Sequence, residues 1–410
     1  MRWMGGCSVT ESIKEKIKVR SPAMIYLLLS VAVLLSVGLH ELRLRPADVS
    51  AQPRKPDFDA VGIMLVVVIP TLLCALVIGL RQDTGTDYPR YINHFERIAE
   101  GANLFYEEPL YVLVVRLAQS VFDHPAAPFM ALALITNGFI FWGIYRLKEA
   151  SPFLIAAALF GTGLILLQTN LVRQSAAIAI FFCAAQLIWR GGFVRYTAMI
   201  LLAAGFHYSV LILYPLYWVS RLSFSLAQAT IVAMFSILLF AFSEVIYSLA
   251  AEYQPFIPFG YGEYIDIIAE QGGVVDTGVG ILALFATSYL IIYSAYRYLP
   301  VMTREQKIKV NLVLFYLVLN TALGNISVLN RLSEYLALFL GVGFSLVAAQ
   351  PRYATERSLF ILVALIIFMV NFGWSLVTQN QGATPYNSIL SVEETIAAGP
   401  NAINRISSPL

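Results

Sequence analysis

Arginine, aspartate and histidine occur in this chain where long apolar runs end, and that placement gives them chemical meaning. Arg81-Gln82-Asp83-Thr84-Gly85-Thr86-Asp87-Tyr88 sets a guanidinium, two carboxylates and two hydroxyls directly after the apolar run Ala60 to Leu80. Arg173-Gln174 occupies the near-absent link between the runs 152–170 and 174–190. His207, within Gly205-Phe206-His207-Tyr208, lies at the centre of the run 194–220, and Arg331 with Glu334 and Tyr335 stands between 310–330 and 332–350. A charge held near hydrocarbon costs about 2.5–3.5 kcal/mol on insertion scales. Cations that persist there point to a functional site, with an anionic ligand as their natural partner.

The elements that must position these residues are membrane helices. The chain is 59% hydrophobic and 13% charged, where ordinary domains are about a quarter charged. Its formal net charge of +2 gives no reason to expect nucleic acid. Cys7, Cys74 and Cys183 supply neither a disulfide framework nor zinc-type spacing. Runs near the roughly 20 residues that cross a bilayer recur at 24–40, 60–80, 128–147, 152–170, 174–190, 194–220, 226–250, 278–299, 310–330, 332–350 and 357–378. Reading 194–220 as a hairpin of two short helices gives 11 or 12 crossings, an all-α polytopic chain. A shorter run, 109–122, carries Arg116 and is expected to lie at the interface.

Lysine and arginine counts orient the spans. Arg43, Arg45, Arg54 and Lys55, then Arg146 with Lys148, Arg190 with Arg195, Arg221, the 297–309 group, and Arg352 with Arg357 mark the cytoplasmic loops. The acidic 251–277 loop has no Lys or Arg and falls outside. Arg81, Arg173, His207 and Arg331 then share the outer face. The expected organisation is a basic N-terminal extension (1–23), one membrane domain (24–378) containing an outer loop with an interfacial helix (81–127), and a polar C-terminal tail (379–410). The basic extension disagrees with the alternation, which places it outside.

Each residue also has a structural reading. Arg81 serves equally as an interfacial anchor, Asp83 and Asp87 as turn or cap residues, and His207 as a packing histidine. Arg331 is placed to pair with Glu334 across one helical turn. Glu107-Glu108-Pro109 is a ready helix start.

Arg81…Gly85-Thr86-Asp87-Tyr88…Tyr91, Glu108-Pro109-Leu110-Tyr111, Arg173-Gln174 followed by small residues, and Phe206-His207-Tyr208-Ser209 together resemble the EpsG family. Its members are polytopic, Wzy-like polymerases of capsule, exopolysaccharide and O-antigen chains. The ordered motifs cover 60–220; beyond that the likeness rests on hydropathy and Asn330-Arg331-Leu332-Ser333-Glu334-Tyr335. The resemblance implies a GT-C-like helical bundle with an outward cavity in a bacterial inner membrane. It implies an undecaprenyl-diphosphate-linked oligosaccharide as substrate, worked on at the periplasmic face. Membrane lipid, a chain-length regulator and a flippase of the same pathway are the implied partners.

On that reading Arg81, Arg173 and Arg331 hold the diphosphate, since arginine forks bind phosphate bidentately and stay protonated. Asp87 is the first candidate for the base that takes the acceptor hydroxyl's proton and His207 the second, with phosphate binding as His207's other role. Asp83, Tyr88, Glu108, Gln174 and Tyr335 are expected to contact substrate. No cofactor is expected, and no DxD-type carboxylate pair calls for a divalent ion. A glycan ligase would need the same arginines and base. A transporter would instead line a path through the bundle, and transporter-like internal repeats are not evident. A membrane acetyltransferase fits the outer-face arginines poorly.

Overall fold

Only helices and closed barrels satisfy their own backbone hydrogen bonds inside a membrane, and the apolar runs of this chain are helical. The computed structural model describes residues 23–44, 59–101, 107–122, 124–252, 278–299, 301–349 and 354–390. In chain order the elements used below are α1 (Met24–Arg43), α2 (Ala60–Gly79), β1 (Arg81–Gln82), α3 (Tyr88–Ala99), α4 (Pro109–Val121) and α5 (Ala127–Arg146). They continue as α6 (Pro152–Gly161), α7 (Val172–Arg190), α8 (Phe193–Ala204), α9 (Leu226–Ala241) and α10 (Gly278–Tyr298). The last are α11 (Arg304–Ala322), α12 (Phe339–Ala348), α13 (Ala354–Val377) and β2 (Asn387–Ser388). Among the described residues six helices have the length and apolarity to cross a membrane. The chain is an all-α, multi-pass membrane protein.

Apart from α11, whose 19 residues begin with a charged turn, the remaining apolar runs form helices of 10–17 residues, shorter than the 11 or 12 expected spans would have. Run 152–170 breaks at Gly163, whose φ of +78° ends α6 before a single turn, Leu164–Leu167. Run 194–220 is the expected hairpin. After α8 the chain turns at His207 into a 3-10 segment, Tyr208–Leu213, and a turn of helix, Leu216–Val219. The Tyr196 hydroxyl donates back to the Leu213 carbonyl at 3.2 Å, tying the two arms together. The basic N-terminal extension through residue 22, the acidic loop over 253–277 and the tail beyond 390 lie outside the described residues.

Helix α7 is the axis of the bundle: it packs against α5 and α8, and 78% of its span is buried. Ala176, Ala177, Ala179, Ala184 and Ala185 explain this, because small side chains let neighbouring helices approach closely. On α5, a Cβ at Gly143 would stand 2.7 Å from the Phe182 ring, so the α5–α7 approach requires glycine there. A second layer forms where α12 packs against α6, α10 and α11, with α13 covering α6.

The C-terminal tail does more than a polar tail is expected to do. After α13 it folds back, and β2 pairs antiparallel with β1, Arg81 opposite Ser388 and Gln82 opposite Asn387. The Tyr386 hydroxyl donates to the Val77 carbonyl at 2.9 Å, fastening this return to the end of α2.

Candidate functional site

The Arg81–Tyr88 segment is held by groups from two other parts of the chain, the link before α7 and the C-terminal return. Its Gly85 amide donates to the Gly382 carbonyl at 2.9 Å, and the Asp87 amide to Asn170 Oδ1 at 3.2 Å. Asn170 in turn donates to the Gln381 carbonyl at 2.7 Å. Gly85 has φ +97°, and a Cβ there would lie 2.6 Å from the Thr169 carbonyl oxygen. Only glycine fits both the left-handed turn and the approach.

Within this segment Arg81 faces inward and lines neither of the two cavities described below. It is 1% exposed, donates to the carbonyls of Ile78 and Thr169, and stacks over the Phe129 ring at 4.0 Å. With both terminal nitrogens on carbonyls and its face on an aromatic ring, the guanidinium acts as a structural clamp in this structure and is not presented to the cavity, where the diphosphate contact was expected. Tyr88 is likewise buried, its ring stacked on Phe129 at 5.0 Å. Asp83 is exposed on the loop, with φ +45°, and lies off the cavity wall. Tyr335 is buried behind the site; its hydroxyl meets Ser209 Oγ at 2.9 Å and its ring meets Phe181 edge-on.

The cavity itself holds about 630 Å³ and is lined by α3, the start of α4, the N-terminus of α7, the hairpin turn and the Arg331 turn. Asp87, Arg173, Gln174, His207 and Arg331, which the sequence singles out, all line it. Asp87 precedes α3 without capping it by its side chain, so the carboxylate is not consumed by a helix start. Gln174 Nε2 donates to the Arg331 carbonyl at 2.8 Å, which fixes the Arg331 turn onto the head of α7. Arg331 forms no ion pair with Glu334 among the described residues.

The lining also includes Arg90, His94 and Arg97 on α3, which the sequence did not single out, and Glu107 before α4, which it offered only as part of a helix start. Arg90, His94 and Arg97 are spaced i, i+4, i+7, which puts them on one helix face. That stripe, which starts at Arg90 just after Pro89 in the first turn of α3, has an amphipathic period in the sequence, but the period does not say what the stripe faces. Arg90, Arg97 and Arg331 have no carboxylate partner among the described residues, so three guanidinia face the cavity without internal neutralisation.

A chain of paired groups runs along the cavity floor. Arg173 Nη1 bridges Glu107 Oε2 at 2.9 Å and Glu108 Oε2 at 2.8 Å. Glu108 Oε1 accepts from His207 Nδ1 at 2.8 Å, and Glu107 Oε1 accepts from His94 Nε2 at 3.1 Å. Because a carboxylate only accepts, both contacted ring nitrogens carry protons. His94 Nδ1 therefore takes the Tyr111 hydroxyl at 2.9 Å, and its ring stacks on Tyr111. In neutral His207 the other nitrogen, Nε2, is a free acceptor beside the cavity. Burial raises the Glu108 carboxyl, but the His207 hydrogen bond and the Arg173 charge outweigh it and hold the group below its ordinary range. Burial pushes the His94 imidazole below its ordinary value, against the pull of Glu107. At neutral pH His94 is thus an uncharged link rather than an anion ligand.

The arrangement can bind a polyanion through three arginines, and beside them accept a proton at an imidazole backed by a carboxylate. Residues 64–388 match the model of the EpsG family, a stretch that runs from the middle of α2 to the last residue of β2. No curated protein and no solved structure matches the chain.

Proposed function

The chain belongs to the EpsG family, whose role is of the polysaccharide polymerase type, and we propose that it joins lipid-linked oligosaccharide repeat units. The growing glycan is transferred from undecaprenyl diphosphate to a hydroxyl of the incoming lipid-linked unit, at the periplasmic face of a bacterial inner membrane. The observation that carries this reading is the cavity that Arg90, Arg97 and Arg331 share with His207, whose ring is held by Glu108.

The hydroxyl oxygen of the acceptor sugar attacks the anomeric carbon of the donor. The bond from that carbon to the diphosphate oxygen breaks, and undecaprenyl diphosphate leaves with the electron pair. His207 Nε2 takes the hydroxyl proton, while Glu108 fixes the ring and stabilises the imidazolium that forms. The geometry favours His207 over Asp87 as the base, since only His207 has a carboxylate seated behind it; Asp87 then orients acceptor hydroxyls. Arg331, Arg90 and Arg97 neutralise the charge that develops on the leaving diphosphate, and such preorganised donors contribute several kcal/mol at a dry site. Arg173 holds Glu107 and Glu108 adjacent and helps keep Glu108 ionised. With arginines supplying the charge, transfer proceeds without a metal: activity is expected to survive EDTA, and restoration by magnesium after a collapse would overturn this.

The test is reconstitution in nanodiscs with a single lipid-linked repeat unit and no other acceptor. A ladder of products rising by one repeat per step is expected. Transfer seen only when lipid A is supplied would make the protein a ligase, and no transfer at all would overturn the enzyme reading.

A further inference from the structure

A second cavity, of about 650 Å³, opens at the opposite end of the bundle between α2, α5, α7 and α11. Helix α7 joins the two: Arg173 stands at one and Arg190 at the other, about 26 Å apart at 1.5 Å per residue. That is close to the roughly 30 Å of a bilayer's hydrocarbon, so the cavities lie at its two surfaces.

Its walls pair cations with interfacial aromatics. Arg146 ends α5, Arg190 ends α7, and Lys148 follows on the loop, while Trp142, Tyr145 and Trp189 line the same space. Lys309, only 5% exposed, is neutralised by Glu305 at 2.7 Å, stands 3.8 Å from Glu149, and lies over the Trp189 ring at 5.4 Å. Arg146, Lys148 and Arg190 have no such carboxylate among the described residues. Arg190 Nη2 donates to the Arg146 carbonyl at 3.1 Å, which brings two like charges together at adjacent helix ends. Trp142, 41% exposed, continues the wall towards the lipid-facing side of α5. A general positive bias of loops explains cations on this face, but not a hollow that gathers them beside three aromatic rings.

We propose that this cavity binds a phosphate oxyanion, carried by the headgroup of an anionic phospholipid whose acyl chains run along Trp142. The unpaired guanidinia of Arg146 and Arg190 grip the phosphate, and basic pockets between membrane helices are known to suit such headgroups.

Native mass spectrometry of the full protein, delipidated and titrated with phosphatidylglycerol or phosphatidylcholine, tests the site. Saturable retention of phosphatidylglycerol is expected, weakened at least tenfold by R146Q/R190Q, and by a smaller factor in Lys148→Gln, whose exposed side chain leaves packing untouched. Arg195→Gln removes an exposed cation from the first turn of α8, outside the cavity, and is expected to change retention less than twofold. Equal losses from Arg195→Gln and from the cavity variants would reduce the effect to diffuse surface charge and overturn the proposal, as would undiminished retention in Lys148→Gln and R146Q/R190Q. Inorganic phosphate is the second probe. Displacement of bound lipid by millimolar phosphate supports the shared oxyanion chemistry; a saturable rise in Tm with phosphate but no lipid retention would overturn the lipid source.

Discussion

The arginines of this chain divide by what their guanidinium touches. Arg81 is spent on the carbonyls of Ile78 and Thr169, whereas Arg331 presents its charge to the cavity. Arg331→Ala is therefore expected to lower polymerisation at least tenfold with Tm unchanged. Arg81→Ala should lose activity only together with Tm, because two buried carbonyls are left without a donor. Thermal melts in detergent beside ladder assays separate the two, and an Arg81→Ala protein of normal Tm and no activity would return Arg81 to the site. Glu108→Gln should reduce the rate about 100-fold, the range of general acid–base effects, with donor binding retained; a wild-type rate would remove the Glu108–His207 pair from the mechanism. His94 gives a pH dependence with a definite sign. Its folded-state pKa lies below the ordinary value, so the unfolded chain binds its proton first. Stability contributed at His94 is full above about pH 6.5 and declines as pH falls from there towards the folded-state value. Melts between pH 5 and 7.5 should show this decline diminished in His94→Gln, and identical slopes would exclude it.

At the scale of elements, the loop from Arg81 to Tyr88 is a splint rather than a cap. It receives β2, Gly382 and Gln381 from the chain's end and Asn170 from the link before α7. Gly85→Ala forces a Cβ against Thr169 and strains a left-handed turn, at an expected cost of about 1–3 kcal/mol. A fall in Tm of several degrees should follow, and an unchanged Tm would show that the loop relaxes freely. Stopping the chain after residue 379 removes β2 and the Asn170 partner together, and should lower both Tm and activity more than Gly85→Ala does. The short helices also have local reasons: Gly163 ends α6, and the tyrosines of α8 and its return arm close the hairpin that presents His207.

Across the whole molecule, α7 couples two chemically different surfaces through one rigid, alanine-lined axis. Its N-terminus carries Arg173 and Gln174 into the arginine-lined cavity, and its C-terminus carries Arg190 into the aromatic cavity at the other end of the bundle. The proposed polymerase and the proposed lipid site are thus separable by mutation, since about 26 Å of packed helix lies between them.

Composition and the recurrence of apolar runs were enough to establish a helical membrane protein, because a hydrocarbon layer leaves a long apolar segment few other conformations. The same runs, with Arg173 and Arg331 at their ends and His207 at the hairpin turn, singled out part of the cavity's lining: a charge beside hydrocarbon is costly wherever it occurs, so its position is legible in one dimension. Two things were not. The stripe of Arg90, His94 and Arg97 has the period of any exposed amphipathic face, and only the packing of α3 against α4 turns it to the cavity rather than to water. Arg81 shares residue type and boundary position with Arg331, yet its guanidinium is turned inward by the Phe129 ring and the Thr169 carbonyl. Which way a side chain faces at a helix end depends on partners remote in sequence, and the tertiary structure alone decides it.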